Sequence, residues 1–342
     1  MELKHRQILS AQVDLSKFNK ANFEKATDEE KKQQDVMGES TTFFKDGMRR
    51  LRKNPLAMGS IIVLVLILLT IIIAPHVCPY KYSEIISVNG VRDKSAANLG
   101  PFEYSKLETK YMNETGEKLF PHIFGTDSLS RDYFIRVIYG TRVSLSVGVV
   151  ASIMVLIIGL LYGSIAGYFG GKVDMVMMRI VDALYSIPDM LYLIMITVVL
   201  GSNFQSIIIG ICISSWMGMA RQVRAQVMTL KEQEFSLAAF VLGASKPRIL
   251  LKHLIINSMG PIIVSFSMLV PSSIFYEATL GFLGIGLSAP QASWGTLAND
   301  ARAMISSQPL QVVWPVLAIC LTMLALNFIG DGLGDALDPK KK

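Results

Sequence analysis

The sequence lacks the patterns that mark several classes of protein. Its three cysteines are an odd number without a Cys-x-x-Cys pair, and its four histidines are scattered. Neither a disulfide framework nor a zinc-type ligand spacing is therefore present. No phosphate-binding Gly-x-x-x-x-Gly-Lys-Ser/Thr motif occurs, since Gly170-Gly171-Lys172 lacks the upstream glycine and the following hydroxyl residue. We predict no catalytic residues, no metal site and no cofactor in this chain.

Charge is also scarce. Only 18% of the 342 residues are charged, against about 25% in a typical soluble domain, and 51% are hydrophobic. The apolar residues are concentrated in long runs, which indicates an integral membrane protein. The net charge of +6 comes from cations beside those runs. Such a bias is typical of membrane topology, so we predict contact with lipid and no nucleic acid partner.

The apolar runs predict an all-α, polytopic membrane protein with six transmembrane helices. They cover approximately Leu56–Ala74, Ser144–Tyr168, Ala183–Leu200, Phe204–Ala220, Leu254–Ile274 and Val312–Ile329. The first run follows a long polar tail, which distinguishes it from a signal peptide. The second contains Gly148, Gly159, Gly163 and Gly167, small residues that allow helices to approach closely. Pro188 and Asp189 interrupt the third.

The loop charges predict an orientation. Basic residues dominate before the first run, between the fourth and fifth, and at Lys340–Lys342, so these regions should be cytoplasmic, with both termini. The loop at 75–140 has eight basic and eight acidic residues and fits the outside. The predicted divisions are a tail at 1–42, an N-terminal helix and first span at 43–74, an extracytoplasmic loop at 75–140, a core of five spans at 141–330 with a cytoplasmic loop at about 221–253, and a cytoplasmic tail at 331–342.

The predicted spans contain few ionisable side chains. Asp189 and Glu277 are the candidates, either for a solute pathway or for a structural hydrogen bond. Two isolated carboxyl groups do not build a proton relay. With no nucleotide motif either, active transport by this chain would need energy from another subunit.

One cytoplasmic segment, Glu232–Ser258, reads EQEFSLAAFVLGASKPRILLKHLIINS. The periodicity over 227–242 predicts a helix, and Gly243 follows where a helix ends in the left-handed conformation. Ser245 and Pro247 favour the start of a second helix, which continues into the fifth span. The segment therefore predicts a helix, a tight turn and a second helix.

The first of these helices carries apolar side chains in a region that should meet water. Phe235, Leu237 and Phe240 lie beside the small residues Ala238 and Ala239. The pattern alone leaves two interpretations open. Either the helix is a docking surface for another protein, or it packs on the protein's own cytoplasmic ends.

The segment resembles the cytoplasmic Glu-Ala-Ala loop of ABC importer permeases, in which Gly follows the Glu-Ala-Ala after three residues. Leu237-Ala238-Ala239 and Gly243 match that spacing. Leu237 stands where the family usually has Glu, and Ile256 stands where it has Pro. Glu234 cannot replace the missing carboxylate without a shift of nearly one turn, so no specific salt bridge is carried over.

Four further stretches resemble peptide-importing permeases of that family, and together they cover most of the chain from about Phe43 onward. They are FFKDGMRRLRKNPLAMGSIIVL (Phe43–Leu64), FGTDSLSRDYFIRVIYGTRVSLSVG (Phe124–Gly148), YEATLGFLGIGLSAPQASWGTLANDAR (Tyr276–Arg302) and GDGLGDALDPK (Gly330–Lys340). Several long motifs in the same order identify a permease of the oligopeptide and dipeptide ABC importers.

The resemblance implies a type I ABC importer permease fold in a bacterial cell membrane. It implies a second homologous permease, two ATPases that hold ATP and Mg, an extracytoplasmic peptide-binding protein and a peptide substrate. It also implies that the loop docks on an ATPase, through Glu234, Phe235, Leu237, Ala238, Ala239, Leu242, Gly243, Ala244 and Ser245. The outer loop at Pro290, Ser293 and Trp294 is the predicted face for the binding protein.

Three alternative functions remain open. Permeases for nickel or another small solute share these motifs. A self-sufficient channel or secondary transporter is a different class, which the scarcity of membrane-embedded charge disfavours. A membrane scaffold or sensor subunit that transports nothing is the third.

Overall fold

The computed structural model describes residues 43–337, so the predicted tail at 1–42 and the last five residues lie outside the described part. The described chain is mostly helical. Its helices are α1 (Phe43–Leu51), α2 (Pro55–Val77), α3 (Lys106–Thr115), α4 (Tyr133–Phe169), α5 (Gly171–Tyr185), α6 (Asp189–Leu200), α7 (Phe204–Lys231), α8 (Glu234–Val241), α9 (Lys246–Phe282), α10 (Trp294–Arg302) and α11 (Pro309–Leu337). A short antiparallel hairpin, β1 (Ser87–Val88) and β2 (Val91–Arg92), precedes α3.

Within residues 43–337, five helices are long and apolar enough to cross a membrane: α2, α4, α7, α9 and α11. A sixth span exists if α5 and α6 count as one, and these two helices meet at a 77° bend. The predicted interruption of the third span, Ala183–Leu200, at Pro188 and Asp189 is confirmed, whereas the bent pair begins earlier, at Gly171. The bend falls at Pro188, which lacks an N–H and disfavours helical backbone at the residue before it.

Several helices extend beyond their apolar runs. The second predicted span began at Ser144, whereas α4 begins at Tyr133, with Asp132 as its N-cap. The fourth was predicted to end at Ala220, whereas α7 continues to Lys231. The sixth predicted span ended at Ile329, whereas α11 continues to Leu337, into the predicted tail at 331–342. Hydropathy locates the part of a helix inside the membrane, whereas backbone hydrogen bonding continues into the polar ends.

The helices α4 and α7 pack closely, because three glycines of α4 lie against α7. A Cβ on Gly159 would lie 2.5 Å from the Cγ of Met219, and one on Gly167 would lie 2.8 Å from the carbonyl oxygen of Arg224. A Cβ on Gly163 would overlap the carbonyl oxygen of Ala220. The predicted role of these small residues is confirmed. The α4–α7 pair forms the centre of the largest hydrophobic core, to which α6 and α9 also contribute.

Residues 78–132 form a small module between α2 and α4, with a buried charged cluster at its centre. The side chain of His122 is fully buried. Its Nδ1 lies 2.8 Å from Oδ2 of Asp132, and its Nε2 lies 3.0 Å from Oε1 of Glu108. Burial opposes the charged imidazolium, but the hydrogen bonds to the two carboxylates outweigh burial and raise the pKa of His122 to about 9. The cluster ties α3 to the N-cap of α4.

This cluster predicts alkaline sensitivity of the module. The pKa of histidine is about 6.5 in an unfolded chain, so the cluster stabilises the module fully below about pH 6.5. That contribution, on the order of 3 kcal/mol, should be lost as the pH rises through about 9. Hydrogen exchange of residues 105–132 in the full-length protein, compared at about pH 6 and about pH 9.5, measures the change. His122→Gln is the control. An equal pH dependence in that variant would contradict this assignment.

Candidate functional site

The cytoplasmic loop contains α8, a short helix separate from α7. Here the prediction of one helix over 227–242 is wrong, because α7 ends at Lys231 and α8 begins at Glu234. Gln233 between them is extended, with φ −76° and ψ 149°. Its carbonyl oxygen accepts hydrogen bonds from the N–H groups of Ser236 and Leu237, at 3.0 and 3.2 Å. The bend lets α8 turn away from α7 and pack beside the start of α9.

The turn after α8 has the predicted geometry. Gly243 has φ +84°, the left-handed conformation that glycine adopts without steric cost. The N–H of Ala244 donates to the carbonyl oxygen of Ala239, and that of Gly243 to the carbonyl oxygen of Phe240, both at 3.0 Å. These two bonds make a Schellman motif, which closes the helix. Ser245 is the N-cap residue of α9, as predicted, although its side chain makes no capping hydrogen bond.

One face of the loop presents apolar side chains to the surroundings. Their exposed fractions are Phe235 40%, Leu237 55%, Phe240 63%, Val241 83% and Leu242 86%. We call these five residues the apolar face. Exposed apolar side chains grouped in one short segment are typical of interaction surfaces. Glu234, Ala238, Gly243 and Ser245 are exposed beside it.

The other face of the loop packs on the protein. Ser236 is buried, and Ala239 and Ala244 are half-buried against the largest hydrophobic core. These two alanines were predicted to dock, but the structure turns them inward. Lys231, at the end of α7, donates from Nζ to the carbonyl oxygen of Tyr168 at 2.6 Å. One side of α8 therefore packs on the protein itself, and the side chains on its other sides remain exposed.

Ion pairs fasten the neighbouring helix ends. Nη2 of Arg224 on α7 lies 2.5 Å from Oδ2 of Asp174 on α5. Nη2 of Arg221 lies 2.7 Å from Oδ1 of Asp182, and its guanidinium carbon is 4.3 Å from the centre of the Tyr185 ring. These contacts join α7, which directly precedes α8 in the chain, to α5.

Asp189 and Glu277, the two candidate pathway residues, are both hydrogen-bonded between helices. Oδ2 of Asp189 accepts from the Tyr276 hydroxyl at 2.9 Å, which joins α6 to α9. Oε2 of the fully buried Glu277 accepts from the Ser144 hydroxyl at 2.7 Å, which joins α9 to α4. The geometry gives each carboxylate a role in joining helices.

The outer loop before α10 differs from its predicted role. Ser293 and Trp294 are fully buried, because Ser293 caps α10 and the Trp294 indole N–H donates to the hydroxyl of Thr141 at 3.0 Å. A contact face that includes these two side chains is therefore wrong. Pro290 is exposed, with its neighbours from Ser288 to Gln291.

The sequence reasoning missed several residues of the cytoplasmic site. Phe240 was named in the apolar patch of this helix but not among the docking residues, and Val241 was included in neither, although both are exposed. The cation of Lys231 and the pair of Arg224 with Asp174 gave no local signal, because their partners lie about 50 or more positions away. Only the three-dimensional packing brings these side chains together.

The sequence matches known proteins along most of its length. Residues 159–342 match the family described as binding-protein-dependent transport system inner membrane component, and residues 42–101 match the N-terminal transmembrane domain of oligopeptide transport permease C. The oligopeptide transport system permease protein OppC of Bacillus subtilis is 42% identical over 305 residues, which cover 89% of this chain and 92% of the relative. The dipeptide transport system permease protein DppC of the same organism is 40% identical over 302 residues, covering 88% and 87%.

A solved structure supports the fold independently. The inward-facing MetNI methionine ABC transporter is similar with a TM-score of 0.51 and 19% identity, covering 60% of this chain and 97% of that chain. Likeness at this identity concerns the fold alone. It assigns the helical core of this chain to the type I ABC importer permease fold that the sequence predicted.

Proposed function

The chain belongs to the family of binding-protein-dependent transport inner membrane components, and from that premise we propose that it carries oligopeptides or dipeptides across the membrane. As a member it is a multi-pass membrane permease of an ABC importer and not an enzyme, and ATP hydrolysis belongs to the ATPase partner. One observation carries the peptide assignment. Relatives named for oligopeptide and dipeptide transport are about 40% identical over nearly nine-tenths of this chain.

In the proposed complex, this chain pairs with a second homologous permease to form the solute path. Two ATPases bind below, and a peptide-binding protein delivers the solute from above. The apolar face of α8 inserts into a groove of one ATPase. When the two ATPases close on ATP, α8 is displaced, and the helices fastened to it rock as a rigid body to open the path outward.

The local structure supports this mechanical role. A coupling element must be firm, since a flexible link would absorb the displacement instead of passing it on. The Schellman turn at Gly243 and the buried Ser236 fix α8, and the hydrogen bond from Lys231 to Tyr168 ties the end of α7, just before α8, to α4. The side chains left exposed are apolar and suit a groove of the same character.

Reconstitution tests the proposed function. The complex purified with its native partners should accumulate labelled alanine oligopeptides in liposomes when ATP is present on the ATPase side, and this chain alone should accumulate none. Uptake by the chain alone would contradict the subunit role and favour a self-sufficient transporter. A complex that takes up nickel ions but no peptide would contradict the peptide assignment and leave the subunit role intact.

We further propose that both termini and α8 face the cytoplasm and that residues 78–132 face outward, on the basis of the distribution of basic residues. In intact cells, a membrane-impermeant thiol reagent should label Lys118→Cys and spare Thr229→Cys, a position near the end of α7 outside the docking residues; both positions are exposed. After cell lysis, both should react. Cys320→Ser removes the native exposed thiol from the background. Labelling of Thr229→Cys in intact cells would invert the topology.

A further inference from the structure

A groove of about 290 Å³ lies between the end of α2 and the beginning of α4, beside the module of residues 78–132. Apolar side chains of both helices form its wall: Ile71, Pro75, Ile135 and Ile138. Polar side chains form its rim: Tyr80, Lys81, Tyr82, Ser83, Tyr139 and Arg142. We propose that this groove binds the phosphate of an anionic phospholipid, with Lys81 and Arg142 as its ligands.

The two cations mark the boundary of the membrane. After Arg142, the chain has no charged residue until Lys172, and before Lys81 it has none back to Lys53. Each cation therefore stands at the end of a charge-free run long enough to span the hydrocarbon core. At that depth the surrounding molecules are lipid headgroups. The phosphate of a phospholipid is the anion present there at the highest concentration.

The charge of the groove is unbalanced. Among residues 43–337, no carboxylate lies within ion-pair distance of Arg142, and the groove is lined by no acidic residue. Lys81 has one partner, Glu84, at 3.6 Å between Nζ and Oε2, and both side chains are largely exposed. Exposed pairs of this kind are weak and exchange readily. Basic pockets between transmembrane helices bind anionic headgroups at the cytoplasmic side of membranes, and the same charge attraction applies to this groove. The guanidinium of arginine fits two phosphate oxygens at once.

The aromatic residues give the rim a fixed shape. The rings of Tyr82 and Tyr139 are stacked, with centroids 3.6 Å apart and planes 4° from parallel. Nη1 of Arg136 donates a hydrogen bond to the carbonyl oxygen of Tyr82 at 3.5 Å. Tyrosine at the membrane surface places its ring among lipid and its hydroxyl in the headgroup layer. The stack thus forms a rigid wall beside the two cations. Because these side chains are already ordered, lipid binding would cost little conformational entropy at the site.

A bound lipid would also support the outer end of α2, whose inner end packs against α11 through Ala57 and Gly332. Only 11% of the most apolar part of α2 is buried inside the protein, against 61% for α7. A lipid in the groove would bridge α2 and α4 at their outer ends, where the two helices leave space between them. The proposed lipid therefore stabilises the position of the first span and is independent of which solute the protein carries.

Native mass spectrometry of the full-length protein in its purified complex tests the site, with phosphatidylglycerol titrated into phosphatidylcholine nanodiscs. The wild-type complex should retain phosphatidylglycerol saturably and phosphatidylcholine poorly. The double variant Lys81→Gln, Arg142→Gln should weaken phosphatidylglycerol retention by about tenfold or more. Each cation near an anionic lipid surface favours binding, and the variant removes both. The matched control Lys106→Gln, Lys118→Gln removes two exposed cations from the same module and should bind as wild type.

Two results would overturn the proposal. The first is wild-type retention of phosphatidylglycerol by the double variant, or an equal loss in the control. The second comes from a photo-crosslinking residue in place of Ser83, which lines the groove. Capture of lipid by that residue supports the site, whereas capture of the second permease would show that protein covers the groove.

Discussion

Gly243→Val is expected to reduce peptide uptake by about tenfold or more, while ATP hydrolysis continues and the protein still inserts into the membrane. The residue has φ +84°, a conformation that costs an L-amino acid about 1–2 kcal/mol and a β-branched one more. A Cβ at this position would meet no neighbouring atom within 4 Å, so the effect is one of backbone strain alone. Strain of this size reduces the population of the closed turn by about tenfold or more.

Asparagine provides the control at the same position. It tolerates the left-handed conformation and ends helices in the same motif, so Gly243→Asn should transport nearly as well as the wild type. Uptake and ATP hydrolysis are measured together on reconstituted complexes. Unchanged uptake by Gly243→Val would show that the turn does not transmit force. Equal loss in both variants would show that the position matters for a reason other than its backbone.

Leu242→Asp should separate the ATPase from the permease. Leu242 is 86% exposed, so the substitution removes almost no contact within this chain and should leave its fold intact. Full burial of a leucine side chain in a partner groove contributes about 1.5–3 kcal/mol. An unpaired carboxylate in that groove opposes binding further. We expect ATPase binding to weaken by about a hundredfold.

Gln233→Glu is the matched control for Leu242→Asp. It adds the same charge at the N-cap of the same helix without removing apolar surface, and a carboxylate is favourable at that position. ATPase retention on the purified permease, measured at several salt concentrations, compares the two. Retention of the ATPase by Leu242→Asp would contradict the docking role of the apolar face. Equal loss in both variants would assign the effect to charge.

The sequence predicted the features that follow from local chemistry. A left-handed helix end is nearly restricted to glycine, so Gly243 identified its turn without any knowledge of the neighbouring helices. The glycines of α4 predicted a close helix contact because membrane helices lack a hydrophobic driving force between them and pack through small residues. Long charge-free runs located five of the spans, because a helix that crosses the hydrocarbon core needs about 20 apolar residues in succession.

Features that depend on distant partners were not predictable from the sequence. The aromatic character of Trp294 was interpreted as an exposed contact, but Thr141, on a different helix, accepts its indole hydrogen bond and buries it. The inward face of α8 depends on packing against α9, and the periodicity of the segment does not distinguish it from the outward face. The break at Gln233 was also not predictable, because the helical spacing of apolar residues continues through it.

The fold and the candidate site thus differ in how they depend on the sequence. Helix positions follow from hydropathy and are shared with distant relatives, which is why a transporter at 19% identity has the same core. The docking surface depends on which of two faces of one short helix is covered. Leu237, which stands where related loops carry Glu, is 55% exposed and extends the apolar face to the middle of α8.

Affinity purification of this chain from native membranes, followed by mass spectrometry of the proteins that accompany it, tests whether the chain is an importer subunit. We expect a second six-span permease and two ATPases with nucleotide-binding motifs, and we expect the ATPases to be missing when Leu242→Asp is the bait. A chain that emerges alone, or only with copies of itself, would leave the apolar face without a partner and contradict the assignment as an importer subunit.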